Sequence, residues 1–280
     1  MVAVFFRLHI IQVKGVIRMS VEQTYKWYEK ASSMRELSLC LLPYFKGAKA
    51  NQSMSLISHL QSHGMLRYWS DGQKTMKGLR EKGVFQHVNK EERLLKKRWN
   101  GPDVPIIILP VDERNRKIRA EFGSKSGLAF RDKLFLFLST HISSSSISAI
   151  ITHEYNHVCR LENMPKEEKD VTLLDTIVLE GLAENAVYER FGESEIAGWT
   201  SFYSEKQLEH FQNRLIRPYF ELRRQDGRLF SNILFGKGYY PDMLGYAVGY
   251  NIVKKYLSSK KLKVADVLSL PAEDFIVPML

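Results

Sequence analysis

The chain has 280 residues, 44% of them hydrophobic and 26% charged, with a formal net charge of +10. That balance excludes global disorder and leaves room for a sizeable core, in one large domain or two small ones. No stretch approaches the roughly 20 apolar residues of a bilayer-crossing helix, and the two cysteines, Cys40 and Cys159, offer neither a disulfide framework nor metal-binding spacing, which points to a reducing, cytoplasmic compartment.

Residues 1–18 hold apolar runs split by Arg7 and His9, with no small-residue cleavage site after them. They read as neither a secretion signal nor an anchor, but as an extension ahead of Met19 or an N-terminal strand. Residues 20–45 carry apolar side chains at three- and four-residue steps, the helical period. Residues 53–68 and 72–85 read the same way, with Gly64 and Gly72 as breaks. Residues 91–99 form a charged amphipathic segment whose basic run, Lys96, Lys97 and Arg98, reads as a solvated face. Residues 1–99 are therefore expected to be an N-terminal helical region, and residues 100–280 a second domain.

The character changes at Ile106. Residues 106–109, between Pro105 and Pro110, read as a short buried strand. A second strand is expected within residues 126–140, SGLAFRDKLFLFLST, with Leu134, Leu136 and Leu138 on one face and Phe135 and Phe137 on the other. Apolar character on both faces suggests an interior or cleft-lining strand. Four serines, Ser143 to Ser146, precede a helical pattern that Pro165 closes. A further helix is expected over residues 170–191, stopped by Gly192. The remainder reads as mainly helical, ending in a short helix at 264–270.

Two helices of this series carry the chemistry. Within THEYNHVCRLEN, His153 and His157 stand four apart. Four residues are about 400° of helix, so both imidazoles leave the same face one turn apart. Such a pair chelates one Zn²⁺, and Glu154, offset by about 100°, reaches a water on that ion. A catalytic zinc takes three protein ligands and keeps one position open. Glu180, in TIVLEGLAENAVYE, suits the third place: it lies on an otherwise apolar helix, where an uncompensated carboxylate is costly. Glu162, Glu167, Glu168 and Asp175 compete for that role, although the acidic run after Pro165 reads as a solvated loop. Glu184, one turn beyond Glu180, is placed to accept a hydrogen bond from a ligand histidine, or else is a plain surface glutamate.

HEYNH followed by LEGLAENAVYE resembles the gluzincin pattern, in which a second helix offers Glu-Gly-x-Ala with its first glutamate as the third zinc ligand. The stretch 104–256, with GLAFRDKLFLFLS, TLLDTIVLEGLAE and GYAVGY, resembles the YjaZ-type family of bacterial predicted Zn-dependent proteases. The resemblance implies His153, His157 and Glu180 as ligands of one zinc per chain and Glu154 as the catalytic base. It also implies an α+β architecture: a mainly helical, zincin-like metallopeptidase fold with a small mixed sheet beside the active-site helix, over residues 100–280. One departure is a gap between His157 and Glu180 somewhat longer than in the best-known gluzincin peptidases.

The expected chemistry is hydrolysis of a peptide or protein substrate, with Glu154 taking the proton of the attacking water and passing it to the leaving amine. Tyr246 and Tyr250, one turn apart in GYAVGY, are candidate oxyanion donors or core aromatics beside Gly245 and Gly249; Tyr239 and Tyr240 are weaker candidates. By analogy of fold, the substrate would lie along a strand within residues 127–139. Two other functions compete: a zinc-stabilised, non-hydrolytic interaction protein, and a basic nucleic-acid-binding protein. The last lacks a docking motif, so no nucleic acid is expected as partner.

Overall fold

The computed structural model describes residues 20–115 and 125–276. The expectation for residues 1–18 lies outside the described residues. The architecture is α+β, mainly helical with one small mixed sheet. The chain forms two compact units, Met1–Val158 and Cys159–Leu280. Among the described residues, no helix is long and apolar enough to cross a membrane.

The first unit begins with helices α1 (Tyr25–Lys30), α2 (Met34–Leu41), α3 (Ser53–Ser62), α4 (Trp69–Glu81) and α5 (Val84–Trp99). Periodicity alone merged α1 and α2. The chain breaks between them because two serines compete for backbone groups: Ser33 Oγ accepts from the Glu36 amide, and Glu36 accepts from the Ser32 amide at 2.8 Å. Gly72 does not break a helix, contrary to expectation, but lies inside α4. A Cβ on it would come within 2.7 Å of the Tyr28 ring, so its smallness lets α4 press against α1. The real break is Gly83, with φ of 70°, between α4 and α5.

The sheet has strands β1 (Ile106–Pro110), β2 (Lys125–Ala129) and β3 (Leu134–Leu138), in the order β1-β3-β2. β1 runs parallel to β3, with Ile106 opposite Leu134; β2 runs antiparallel to it, with Gly127 opposite Leu136. The segment read as one strand is thus a hairpin. Its turn closes through Phe130 N–H to Lys133 O at 2.9 Å. The buried Lys133 ammonium lies 4.5 Å from the Phe130 ring centroid and 5.1 Å from that of Phe45, and donates to Asp132 at 2.7 Å. β3 is the central strand, buried on both faces, and β2 is an edge. Helix α6 (Ser144–Asn163) follows, capped by Ser143 Oγ accepting from the Ser146 amide at 3.1 Å, and it continues past the unit boundary.

The second unit is built on α7 (Leu173–Phe191), with α8 (Glu205–Phe211), α9 (Arg228–Phe235), α10 (Leu244–Lys260) and α11 (Val264–Val267). α7 starts three residues later than expected, because Thr172 and Asp175 form a reciprocal capping box there. Every residue from Leu173 to Val187 is buried, so this helix is core on all sides. It crosses α10 at two glycines. A Cβ on Gly249 would lie 2.0 Å from the Ile177 carbonyl oxygen, and one on Gly181 would lie 2.3 Å from that of Gly249. The two backbones are therefore in direct contact.

Candidate metal centre

α6 presents His153, Glu154 and His157 as the helical period requires. The two imidazole centroids stand 4.7 Å apart with their planes at 87°, one turn apart on one face. His153 is half-buried, and His157 and Glu154 are buried. Glu154 lies against β2: the space that a Cβ on Gly127 would occupy is filled by its Cγ and Cδ, each 2.3 Å from that point.

α7 presents Glu180 and Glu184, both buried. Tyr246, on α10, donates from its hydroxyl to Glu180 Oε1 over 3.4 Å, a long and therefore weak hydrogen bond. The glycine crossing sets this meeting, since it fixes how near α10 comes to α7. Glu184 Oε1 accepts from the Ala197 amide at 2.5 Å, which ties the loop after α7 back to that helix. Trp199, from the same loop, packs edge-on to Tyr246 and Tyr250, with centroids 5.5 and 6.3 Å away. Burial pushes the Tyr250 phenol up to about 12, and the Glu184 carboxylate acts in the same direction. Tyr250 therefore keeps its proton at neutral pH and remains a donor.

Of all combinations of histidine, cysteine and carboxylate among the described residues, one group of three has the spacing of a metal site: His153, His157 and Glu180. One potential ligand atom from each lies within 4.8 Å of the others. Two imidazole nitrogens and one carboxylate oxygen match the ligand chemistry of a catalytic zinc site, which leaves a fourth position open. The competing carboxylates are engaged elsewhere. Asp175 pairs with Lys166 at 2.8 Å, Glu167 with Lys169 at 3.6 Å and Glu168 with Arg224 at 3.8 Å, while Glu162 is exposed.

A family model described as "Predicted Zn-dependent protease (DUF2268)" matches residues 84–277. This chain belongs to that family. The family's YjaZ of Bacillus subtilis (strain 168), itself described as uncharacterized, is 57% identical to the chain over 262 residues, covering 94% of this chain and 100% of that protein. A second relative from the same organism, the uncharacterized YjfC, is 23% identical over 91% of this chain and 96% of its own length. No solved structure matches significantly. The match takes in α5 through α11 and with them His153, Glu154, His157, Glu180, Glu184, Tyr246 and Tyr250.

Two residues near these groups escaped the reading of motifs. Gly127 is a strand glycine, which on sequence alone signals only a weak spot or a bulge. Arg224 lies in RPYFELRRQDGR, a basic stretch that matches no motif. The backbone around it is pinned to the start of α7 by Leu173 N–H to Leu222 O at 2.7 Å and by a bridge between Thr172 and Arg223. Burial lowers the Arg224 pKa, and the nearby Glu168, Tyr246 and Glu180 oppose that shift. An arginine is thus within electrostatic reach of Glu180. Tyr239, by contrast, stands fully in solvent at the tip of the loop before α10.

Proposed function

We propose that the protein is a zinc-dependent peptidase of the gluzincin kind with a zincin-like catalytic fold, one Zn²⁺ per chain held by His153, His157 and Glu180. The observation that carries this reading is the convergence of those three donors within 4.8 Å, from helices whose sequences match the family. When bound, zinc supplies Lewis acidity and brings the pKa of water to about 7. The protein's own groups do the rest. Glu154 takes the proton of the attacking water on its carboxylate and delivers it to the departing amine. Tyr246 steadies Glu180 and, with Tyr250, is a candidate donor to the carbonyl oxygen as charge develops there. Glu184 braces α7 through the Ala197 loop. The substrate is a peptide in extended form, and the edge strand β2, beside Glu154, is the strand it would extend.

The test is metal analysis of the full-length protein with two variants. Wild type carries one zinc and cleaves peptides. His153→Ala loses the metal, whereas Glu154→Gln keeps it and loses cleavage by about 100-fold or more, the scale of general-base catalysis. A wild type that binds no zinc on titration ends the proposal. Full zinc occupancy with no cleavage of any peptide library, and sharp unfolding on chelation, would instead assign the metal a structural role.

A further inference from the structure

Gly127 occupies the middle of β2, opposite Leu136 of β3. Side chains alternate along a strand, and Ser126 next to it donates from Oγ to His63 O at 2.8 Å on the opposite face. Gly127 therefore faces α6. A Cβ there would stand 2.3 Å from both Cγ and Cδ of Glu154 and 2.4 Å from its Oε1. The glycine is not there for its backbone: Gly127 is absent from the positive-φ glycines, and it sits in regular ladder register where any L-residue is accommodated. Glycine weakens a strand, so its presence at a buried ladder position calls for a reason of space. The Glu154 carboxylate is that reason.

We propose that Gly127 is a positioning residue for Glu154: the absent side chain is the seat of the carboxylate, and β2 sets where the base stands. This rests on the reading of Glu154 as general base given above. A base acts only within hydrogen-bond reach of the proton it takes. β2 is also the strand proposed to receive the extended substrate, so one short backbone segment would register both the base and the scissile bond. Alanine at 127 leaves the strand backbone unstrained but evicts the carboxylate from its seat.

The experiment compares Gly127→Ala, Glu154→Gln and the double variant in the zinc-loaded full-length enzyme. Gly127→Ala is expected to lower kcat by about 100-fold, the cost of misplacing a reacting group by an ångström, with KM little changed and zinc content at the wild-type level. The double variant is expected to be no slower than Glu154→Gln alone, because the glycine acts only through the glutamate. Ala129→Gly, on the same face of β2, controls for a weakened strand and is expected to lower kcat far less than Gly127→Ala does. The geometry has its own readout, free of activity. In Gly127→Cys/Glu154→Cys the β-carbon at 127 stands beside the place of the Glu154 Cγ, 2.3 Å away, where the new Sγ would sit, so oxidation is expected to remove two thiols and give the cross-linked peptide in a digest. Failure to cross-link overturns the contact. A Gly127→Ala enzyme with wild-type kcat beside an inactive Glu154→Gln overturns the positioning role and leaves the base reading intact. A fully active Glu154→Gln, or a wild type without cleavage, overturns the base reading and this inference with it.

Discussion

Replacing Gly249 by alanine tests whether the crossing of α7 and α10 holds Glu180 in place. The new Cβ would lie 2.0 Å from the Ile177 carbonyl oxygen and 2.8 Å from its carbon, both backbone atoms of a buried helix. Neither can rotate away, so the helices must part by about an ångström or more to restore van der Waals contact. Overpacking of this kind costs about 1–3 kcal/mol, and a backbone-on-backbone clash belongs at the upper end. With about 2–4 °C lost per kcal/mol in a chain of this class, the midpoint should fall by about 6–12 °C. Separation also draws the Tyr246 hydroxyl away from Glu180, so zinc affinity should drop by about 10- to 100-fold, as when an outer partner of a metal ligand is lost. The assays are thermal unfolding and competitive zinc titration. The other glycines grade the effect. Gly181→Ala, 2.3 Å from the Gly249 oxygen, should approach the same loss; Gly245→Ala, 2.9 Å from Leu234, should cost less. Gly198→Ala, with nothing within 4 Å, should cost nothing. Equal losses at Gly198 and Gly249, or a Gly249→Ala protein with unchanged zinc affinity, would refute the idea that close backbone contact sets the metal-facing geometry.

Two further outcomes follow from single groups. Tyr246→Phe removes the hydroxyl that donates to Glu180 Oε1 while keeping the ring against Trp199; zinc affinity should weaken by about 10-fold with little change in melting, measured on the same titration. His59, on α3, is driven down to about 4 by burial, with the neighbouring His63 adding to the shift. A depressed histidine takes up its proton more readily in the unfolded chain, so its contribution is intact above about pH 6.5 and is lost as pH falls toward 4. His59→Gln should therefore flatten the fall in melting temperature between pH 6.5 and 4, and an unchanged acid limb would show that His59 is not a source of it.

How far the fold was legible depended on the kind of signal. Chemically rare arrangements were the most legible: HEYNH sits on one helix with its histidine rings edge-on one turn apart, and Glu180 lies on the next long helix among the same three potential donors. Helix ends written in side-chain caps were legible where the cap followed a clear apolar pattern, as at Ser143 and Gly192. They were missed where two short helices shared one periodicity, at Ser32 and Ser33, because a break of three residues barely disturbs a 3.6-residue repeat. The β2–β3 hairpin was read as one strand for a related reason. Its turn, Phe130 to Lys133, begins with a buried aromatic and ends with a buried lysine, not with the glycine and asparagine that mark most hairpins. Lys133 is buried over aromatic rings, an arrangement that no local pattern announces.

The glycines explain what motif reading cannot reach. A candidate site residue announces itself by type, since histidine and glutamate on an apolar helix are costly without a partner. The residue that makes room for it announces nothing, because its contribution is an absence. Gly127 leaves the space that the Glu154 carboxylate fills, and Gly181 and Gly249 let α7 and α10 touch so that Tyr246 reaches Glu180. None of the three has the positive φ that would make glycine obligatory for its own backbone. Each is required by a neighbour distant in sequence: 27 residues on for Gly127, and helices more than 60 residues apart for the crossing. The steric demand therefore exists only in the folded chain. A substitution at Gly127 should damage placement before it damages folding of the strand, since it meets a side chain, whereas substitutions at Gly181 and Gly249 meet backbone and cost stability as well as placement.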